Sequence, residues 1–268
     1  MMYITSNLFI EGWLEGIFTT VAFIFGIVSG LFFIHKSKAN KKYLLSHMGI
    51  LLIQIGFVYT GVILDFFSIL STGDNLDNTF GLQAVLTYMW TFPGATVAIY
   101  IGLELLFPKK KRFILNILIF FTIVGEIILF MNPSSSLSSI SPVIPGTELI
   151  HTNVMIGTPL FVLVSIYFLF VVFLLDIGCI IKGIKSKGVV RKKFLLLASG
   201  FLIYHILLFF DAFFHPGIAL ILVRSGIFFS FMFWYQALKE QIIIPKQSLI
   251  RKEVTKDNRL FSRGFFRL

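Results

Sequence analysis

Eight charged side chains lie inside long apolar stretches of this sequence, and six of them, Glu11, Glu15, Asp65, Glu126, Asp211 and Arg224, fall toward the outer ends of their runs. A charge in the middle of a membrane-length apolar segment is costly, and its default reading is a functional position. One cation among so many carboxylates leaves an acidic surplus. Such a set suits a small cation or an amine, with Arg224 neutralising one carboxylate and the others left to bind. Asp211 is the expected partner of Arg224, because only a short turn at His215-Pro216-Gly217 separates their segments. The competing chemistry is a salt bridge that only fixes how helices pack. A second polar level holds Gln54, Tyr204 and His205, where hydrogen bonds between helices are the simplest use. Glu104 and Asp176 sit beside basic stretches, and the spacing predicts that they snorkel toward Lys109–Arg112 and Lys182.

The elements that carry these residues are apolar runs at 8–34, 43–70, 84–107, 113–131, 154–181, 194–214 and 218–238. A spanning helix needs roughly 20 predominantly apolar residues. The chain of 268 residues is 57% hydrophobic and only 13% charged, with a mean hydropathy of +0.91. Soluble domains carry about twice that share of charge, so the apolar excess has to face lipid. The expected fold is an all-α membrane protein, a seven-transmembrane helix bundle over residues 1–238. Glu11 and Glu15 replace the basic start of a cleavable signal peptide, which makes the first run a retained helix.

Charge orients the bundle. Every Lys and Arg except Arg224 falls in the 35–42, 108–112 and 182–193 connections or in the 239–268 tail. The alternate connections hold none; they carry Asp74, Asp77 and Glu148 instead. Basic loops stay in the cytoplasm, so the expected topology has the amino terminus outside and the carboxy terminus cytoplasmic. The formal net charge of +10 is then a topology signal, not a nucleic-acid footprint. The 132–153 connection, rich in Ser and Pro, reads as an irregular loop over the outer face. The tail interleaves Arg259, Arg263 and Arg267 with Phe261, Phe265 and Phe266, as an interfacial segment on anionic lipid or a disordered basic tail would.

Helical periodicity groups the polar residues into stripes. His47, Gln54, Gly61, Asp65 and Ser68 share one face of the second run; Glu11, Glu15, Ala22, Gly26 and Ser29 share one face of the first. These faces are expected to turn inward.

Several activities lack their residues. The seventh run has Arg224 and no lysine before Lys239, so a retinal Schiff base has no anchor. The five histidines are scattered, without the matched pairs of a haem site or a His-Glu-x-x-His zinc motif. No Gly-x-Ser-x-Gly or P-loop occurs. Cys179 is the single cysteine, so no intramolecular disulfide forms. The reading is of a non-enzyme without cofactor or metal.

Seven helices, short loops and a basic exit at Lys239 resemble the seven-transmembrane sensor modules that precede prokaryotic histidine kinases, over residues 1–240. With the outer polar cluster beneath the 132–153 loop and the basic cytoplasmic surface, the expected function is a receptor of the cell membrane that binds a small ligand at its outer face. It would signal through a cytoplasmic partner docked on the basic loops and tail. The alternatives are a small-molecule or ion transporter, with the His47–Asp65 stripe as part of its path, and a scaffold that binds nothing.

Overall fold

The computed structural model describes residues 8–41, 43–212 and 218–239. They form a bundle of long apolar helices: α1 (Ile10–Asn40), α2 (Tyr43–Phe57), α3 (Thr60–Thr72), α4 (Leu82–Tyr88), α5 (Thr91–Leu106), α6 (Lys111–Met131), α7 (Pro159–Val171), α8 (Ile177–Lys185), α9 (Gly188–Asp211) and α10 (Ile218–Lys239). Six helical stretches are long and apolar enough to cross a bilayer, and a seventh is counted if α2 and α3, bent by 42°, make one span. The chain is a multi-pass membrane protein. The 239–268 tail, beyond Lys239, and the 213–217 turn lie outside the described residues.

Local chemistry sets the ends of these helices. Thr158 caps α7, its hydroxyl accepting from the Phe161 amide at 3.2 Å, with Pro159 in the first helical position. Gly73 closes α3 at φ 87°, donating to the Ile69 carbonyl. The expected run at 154–181 starts later than its apolarity suggests. Residues His151–Val154 form a strand, β2, paired antiparallel with β1 (Leu137–Ile140) in the register Leu137 to Val154. The 132–153 connection is therefore irregular only in part: two four-residue strands pair across the irregular 141–150 stretch. Ser139 and Thr152 hydroxyls meet at 3.1 Å.

Around the bundle, α1 packs on α2 and α10, α10 on α9, α9 on α8, the α7–α8 stretch on α5, and α5 on α2. Helix α6 packs outside this ring, on α5 and α7, and keeps Phe113, Phe120, Ile123, Ile127 and Phe130 exposed. Those exposed apolar side chains are what a lipid-facing surface requires.

Small residues let α1 and α2 touch backbone to backbone. A Cβ on Gly30 would lie 2.5 Å from the Gly49 carbonyl, and one on Gly26 would lie 2.8 Å from the Leu52 carbonyl. This is the small-xxx-small contact of membrane helices. Gly30→Val is expected to destabilise the bundle by roughly 1–3 kcal/mol through overpacking, read as a lower midpoint in detergent unfolding. An unchanged midpoint would show that α1 and α2 separate freely.

Three spans are interrupted. The α2–α3 bend falls at Val58–Tyr59 and the α4–α5 joint at Met89–Trp90. The two breaks touch, with the Phe57 and Trp90 rings stacked at 4.6 Å. Between α7 and α8, residues Val172–Asp176 make a π-helical turn, and Ile177 N–H reaches back to the Val172 carbonyl. The widened turn lies against α5 at Gly102, where a Cβ would come within 2.4 Å of the Leu174 backbone. Interrupted helices are tolerated at membrane depth where they are buried in protein or line a polar path.

Candidate functional site

Three polar assemblies occupy the bundle. The first is a clamp built on Arg224 of α10, which is buried. Its Nη1 donates to Glu15 Oε1 on α1, and its Nε donates to Asp211 Oδ1 on α9 at 3.2 Å. A single guanidinium thus ties three helices, using the fork of donors that distinguishes Arg from Lys. Asp211 stays 25% exposed, while Arg224 and Glu15 are buried. Glu11 lies one turn nearer the end of α1, half-buried, and makes no hydrogen bond or ion pair with the described residues. Tyr59 and Tyr204 are both buried in the bundle, Tyr204 two turns of α9 from Asp211.

Two candidate residues are separate from the clamp. Asp65 is fully buried and committed to a second assembly, a polar cap over one end of the bundle. Its carboxylate accepts from Asn75 Nδ2 at 3.1 and 3.2 Å, Leu76 N at 2.8 Å and Ile150 N at 2.7 Å. Asn75 also donates to the Glu148 carbonyl and accepts from Gly146 N, both across more than seventy residues of chain. Gln83 accepts from the Thr152 hydroxyl and donates to the Ile150 carbonyl at 3.3 Å. The cap therefore joins the 73–81 and 144–152 loops, and Phe9 N–H binds it to α1 through the Thr147 carbonyl at 2.8 Å. With all these donors on one carboxylate, Asp65 serves as the fixing point of the two loops, where the sequence placed it among ligand-binding residues.

Glu126 is the other. It lies on the outer side of α6, beside a shallow groove of about 400 Å³ lined only by α6 residues, among them Thr122, Ile127 and Phe130. Its Oε1 is buried without a hydrogen-bond partner among the described residues. The sequence set Glu126 level with Arg224; the ring of helices puts it on a different wall.

The third assembly is at mid-height on α9. His205 Nδ1 meets Asp176 Oδ2 at 2.9 Å, with Asp176 wholly buried at the end of the π turn. Phe168, Phe201 and Tyr204 rings surround the imidazole, at centroid distances of 5.8, 6.4 and 5.2 Å. Asp176 Oδ1 has no hydrogen-bond partner among the described residues. The sequence expected Asp176 to snorkel toward Lys182. It lies instead at the end of the π turn, buried, and meets α9. Glu104 does pair with a basic neighbour, accepting from Lys111 Nζ.

The remaining polar candidate, Gln54, faces Gly94 of α5, and its Oε1 is buried without a partner among the described residues. His47 is not part of a continuous chain with it: His47 hydrogen-bonds the Tyr43 carbonyl and lies over the Tyr100 ring at 4.5 Å. A further cluster escaped the sequence. Thr96, Thr122 and Tyr167 join α5, α6 and α7, with the Tyr167 hydroxyl donating to the Leu118 carbonyl at 2.6 Å. Spacing could have flagged Thr122 and Tyr167 singly; their meeting depends on helix order. An apolar void of about 10 Å³ lies among Met48, Leu52, Phe201 and Trp234, and Phe201 separates it from the His205 imidazole.

No protein-family model, curated protein or solved structure was found to match this chain, so the geometry alone carries the functional reading.

Proposed function

We propose that this chain is a seven-span receptor of the cell membrane, with its amino terminus outside and its basic end in the cytoplasm. On this reading the Glu15–Arg224–Asp211 clamp recognises a small cation or amine, and a cytoplasmic partner receives the signal on the basic connections. The observation that carries it is the composition of the clamp. One buried guanidinium is shared by two carboxylates from different helices, with Glu11 a turn above and Asp211 partly exposed. A cationic ligand would meet an acidic surplus there and would compete with Arg224 for Asp211. Competition of that kind changes how α9 and α10 are tied to α1, and so gives the ligand different affinities for two arrangements of the bundle. The alternation of basic and acidic connections supports the orientation. The bent α2–α3 pair supplies the seventh span. Asp77 adds to the acidic face of the cap: the Thr79 hydroxyl and amide hold its carboxyl below the usual range, which keeps it ionised.

A transporter is the second reading. It is favoured by the stacked breaks at Phe57 and Trp90 and by the π turn, since interrupted helices commonly line transport sites.

The test is thermal unfolding of the purified chain in nanodiscs, titrated with sodium chloride, putrescine or tetramethylammonium chloride, with sodium glutamate against sodium chloride as the anion control. At least one cation is expected to raise the midpoint. Asp211→Asn should lose most of that rise, and Glu126→Gln should keep it. Equal responses of wild type and Asp211→Asn to all three cations would exclude the clamp as the recognition site.

A further inference from the structure

We propose that Asp176 and His205 form a proton-binding site in the middle of the bundle, separate from the residues of the Arg224 clamp. The site is built, not incidental. Asp176 is fully buried, and one of its oxygens is held by His205 at 2.9 Å while the other points at no donor among the described residues. A buried polar atom without a partner is uncommon and asks for an explanation. A carboxylate beside a neutral imidazole leaves one negative charge in an apolar surrounding, which is costly. One proton from bulk cancels it. The proton either joins Asp176 Oδ1, giving a carboxylic acid beside a neutral imidazole, or joins the free ring nitrogen, giving a carboxylate–imidazolium pair. In both forms the pair is neutral, and no other bond forms or breaks.

The neighbours leave the proton as the fitting ligand. A metal ion wants more oxygen or nitrogen donors than two, and no third His, Cys, Asp or Glu completes a metal-sized group among the described residues. From α5, Gly102 packs on the Leu174–Leu175 backbone just before Asp176, while Glu104 turns away to Lys111. From α7 the wall is Phe168. From α8 it is Cys179, buried one turn below Asp176. From α9, Tyr204 and Phe201 flank His205. The only titratable groups facing the pair are thus Cys179 and Tyr204, and no fixed cation faces it among the described residues.

Position gives the site its use. His205 and Asp211 share α9, six residues apart, or about 9 Å along the axis. Asp176 ends a π turn, a form of helix that can revert by shifting one residue. Loss of the proton weakens the reason for Asp176 to stay buried, and a shift of the π turn would move its contact with α9. Proton occupancy is therefore linked to the arrangement of the helix that carries the clamp.

Direct proton counting tests this. Purified protein in nanodiscs is titrated between roughly pH 8 and pH 5, the range in which a free imidazole changes charge. Wild type is expected to take up one more proton per chain than Asp176→Asn, and likewise one more than the double variant Asp176→Leu with His205→Phe. The double variant replaces the pair by apolar groups, an exchange that buried ion pairs commonly tolerate, so it keeps the test open should Asp176→Asn misfold. An infrared difference band of a protonated carboxyl, present in wild type and absent from Asp176→Asn, would place the proton on Asp176. Its absence together with the extra proton would place it on His205. Equal uptake by wild type and whichever variant folds would overturn the site. Because the readout is protons and not cation binding, it can fail while the clamp reading stands, and the reverse.

Discussion

Arg224→Met is expected to be among the most damaging single substitutions in the chain, lowering stability by about 3–5 kcal/mol, the usual cost of removing one partner from a buried ion pair. The side chain of methionine fills a similar volume, so the loss is electrostatic more than steric. What remains is Glu15, buried in α1 with its only described partner gone, and three helices that no longer share a donor. Arg224→Lys is not a rescue. A lysine ammonium is a point charge and cannot serve two carboxylates with the geometry of a guanidinium fork. The pair Glu15→Gln with Arg224→Met should recover much of the loss, because the stranded charge is gone; in a double-mutant cycle the two changes are strongly non-additive. Unfolding in detergent by calorimetry or by denaturant measures this. A single Arg224→Met within about 0.5 kcal/mol of wild type would mark the clamp as a surface-like contact.

Asp65→Leu has the second large effect, and it should be local. Each donor stranded by loss of the carboxylate costs about 1–3 kcal/mol when buried. Three residues donate here, Asn75, Leu76 and Ile150. The substitution should release the 73–81 and 144–152 loops from α3 while α1, α2 and the rest of the ring remain paired. Hydrogen exchange at the Leu76 and Ile150 amides is expected to rise by several orders of magnitude relative to wild type, with α5 and α9 amides unchanged. Unaltered exchange at these two amides would mean that the loops hold each other without Asp65. Gly146 is part of the same cap: at φ 77°, a Cβ there would lie 2.0 Å from the Gly73 carbonyl, so the loops meet here only because position 146 is glycine.

How much was legible in the sequence differs by residue. Arg224 was, because it is a lone cation in an apolar run and its partner across a short turn was constrained to few choices. Glu15 was legible as an inward-facing acid but not as the second partner, since contact between α1 and α10 depends on how the ring closes. Asp176 misled. Its depth beside the inner basic connection pointed to Lys182, whereas its helical face, shared with Thr158 and Ser165, pointed inward, and at the end of the π turn it meets His205. Glu126 misled for a different reason: depth along a helix says nothing of which neighbours surround it. Asp65 was seen as an intramembrane charge, yet its role depends on Asn75 and Ile150, residues of loops whose return over the bundle no periodicity encodes. The apolar runs themselves were plain, because a bilayer imposes length and charge alternation directly on sequence. The bend at Val58–Tyr59 left no such mark: no proline or glycine occupies the two positions.

The central claim is that the clamp is a recognition site reached from outside, and site-directed labelling addresses it most directly. Cys179 is the only cysteine and is buried, so a single introduced thiol reports cleanly. Glu11→Cys places it one turn above Glu15 with both clamp carboxylates kept. In intact cells a membrane-impermeant maleimide should label this cysteine. Putrescine or tetramethylammonium, whichever raises the unfolding midpoint, should slow that labelling in the Glu11→Cys protein and not when Asp211→Asn is added. Labelling only after permeabilisation, or labelling at one rate with and without every cation, would contradict the account.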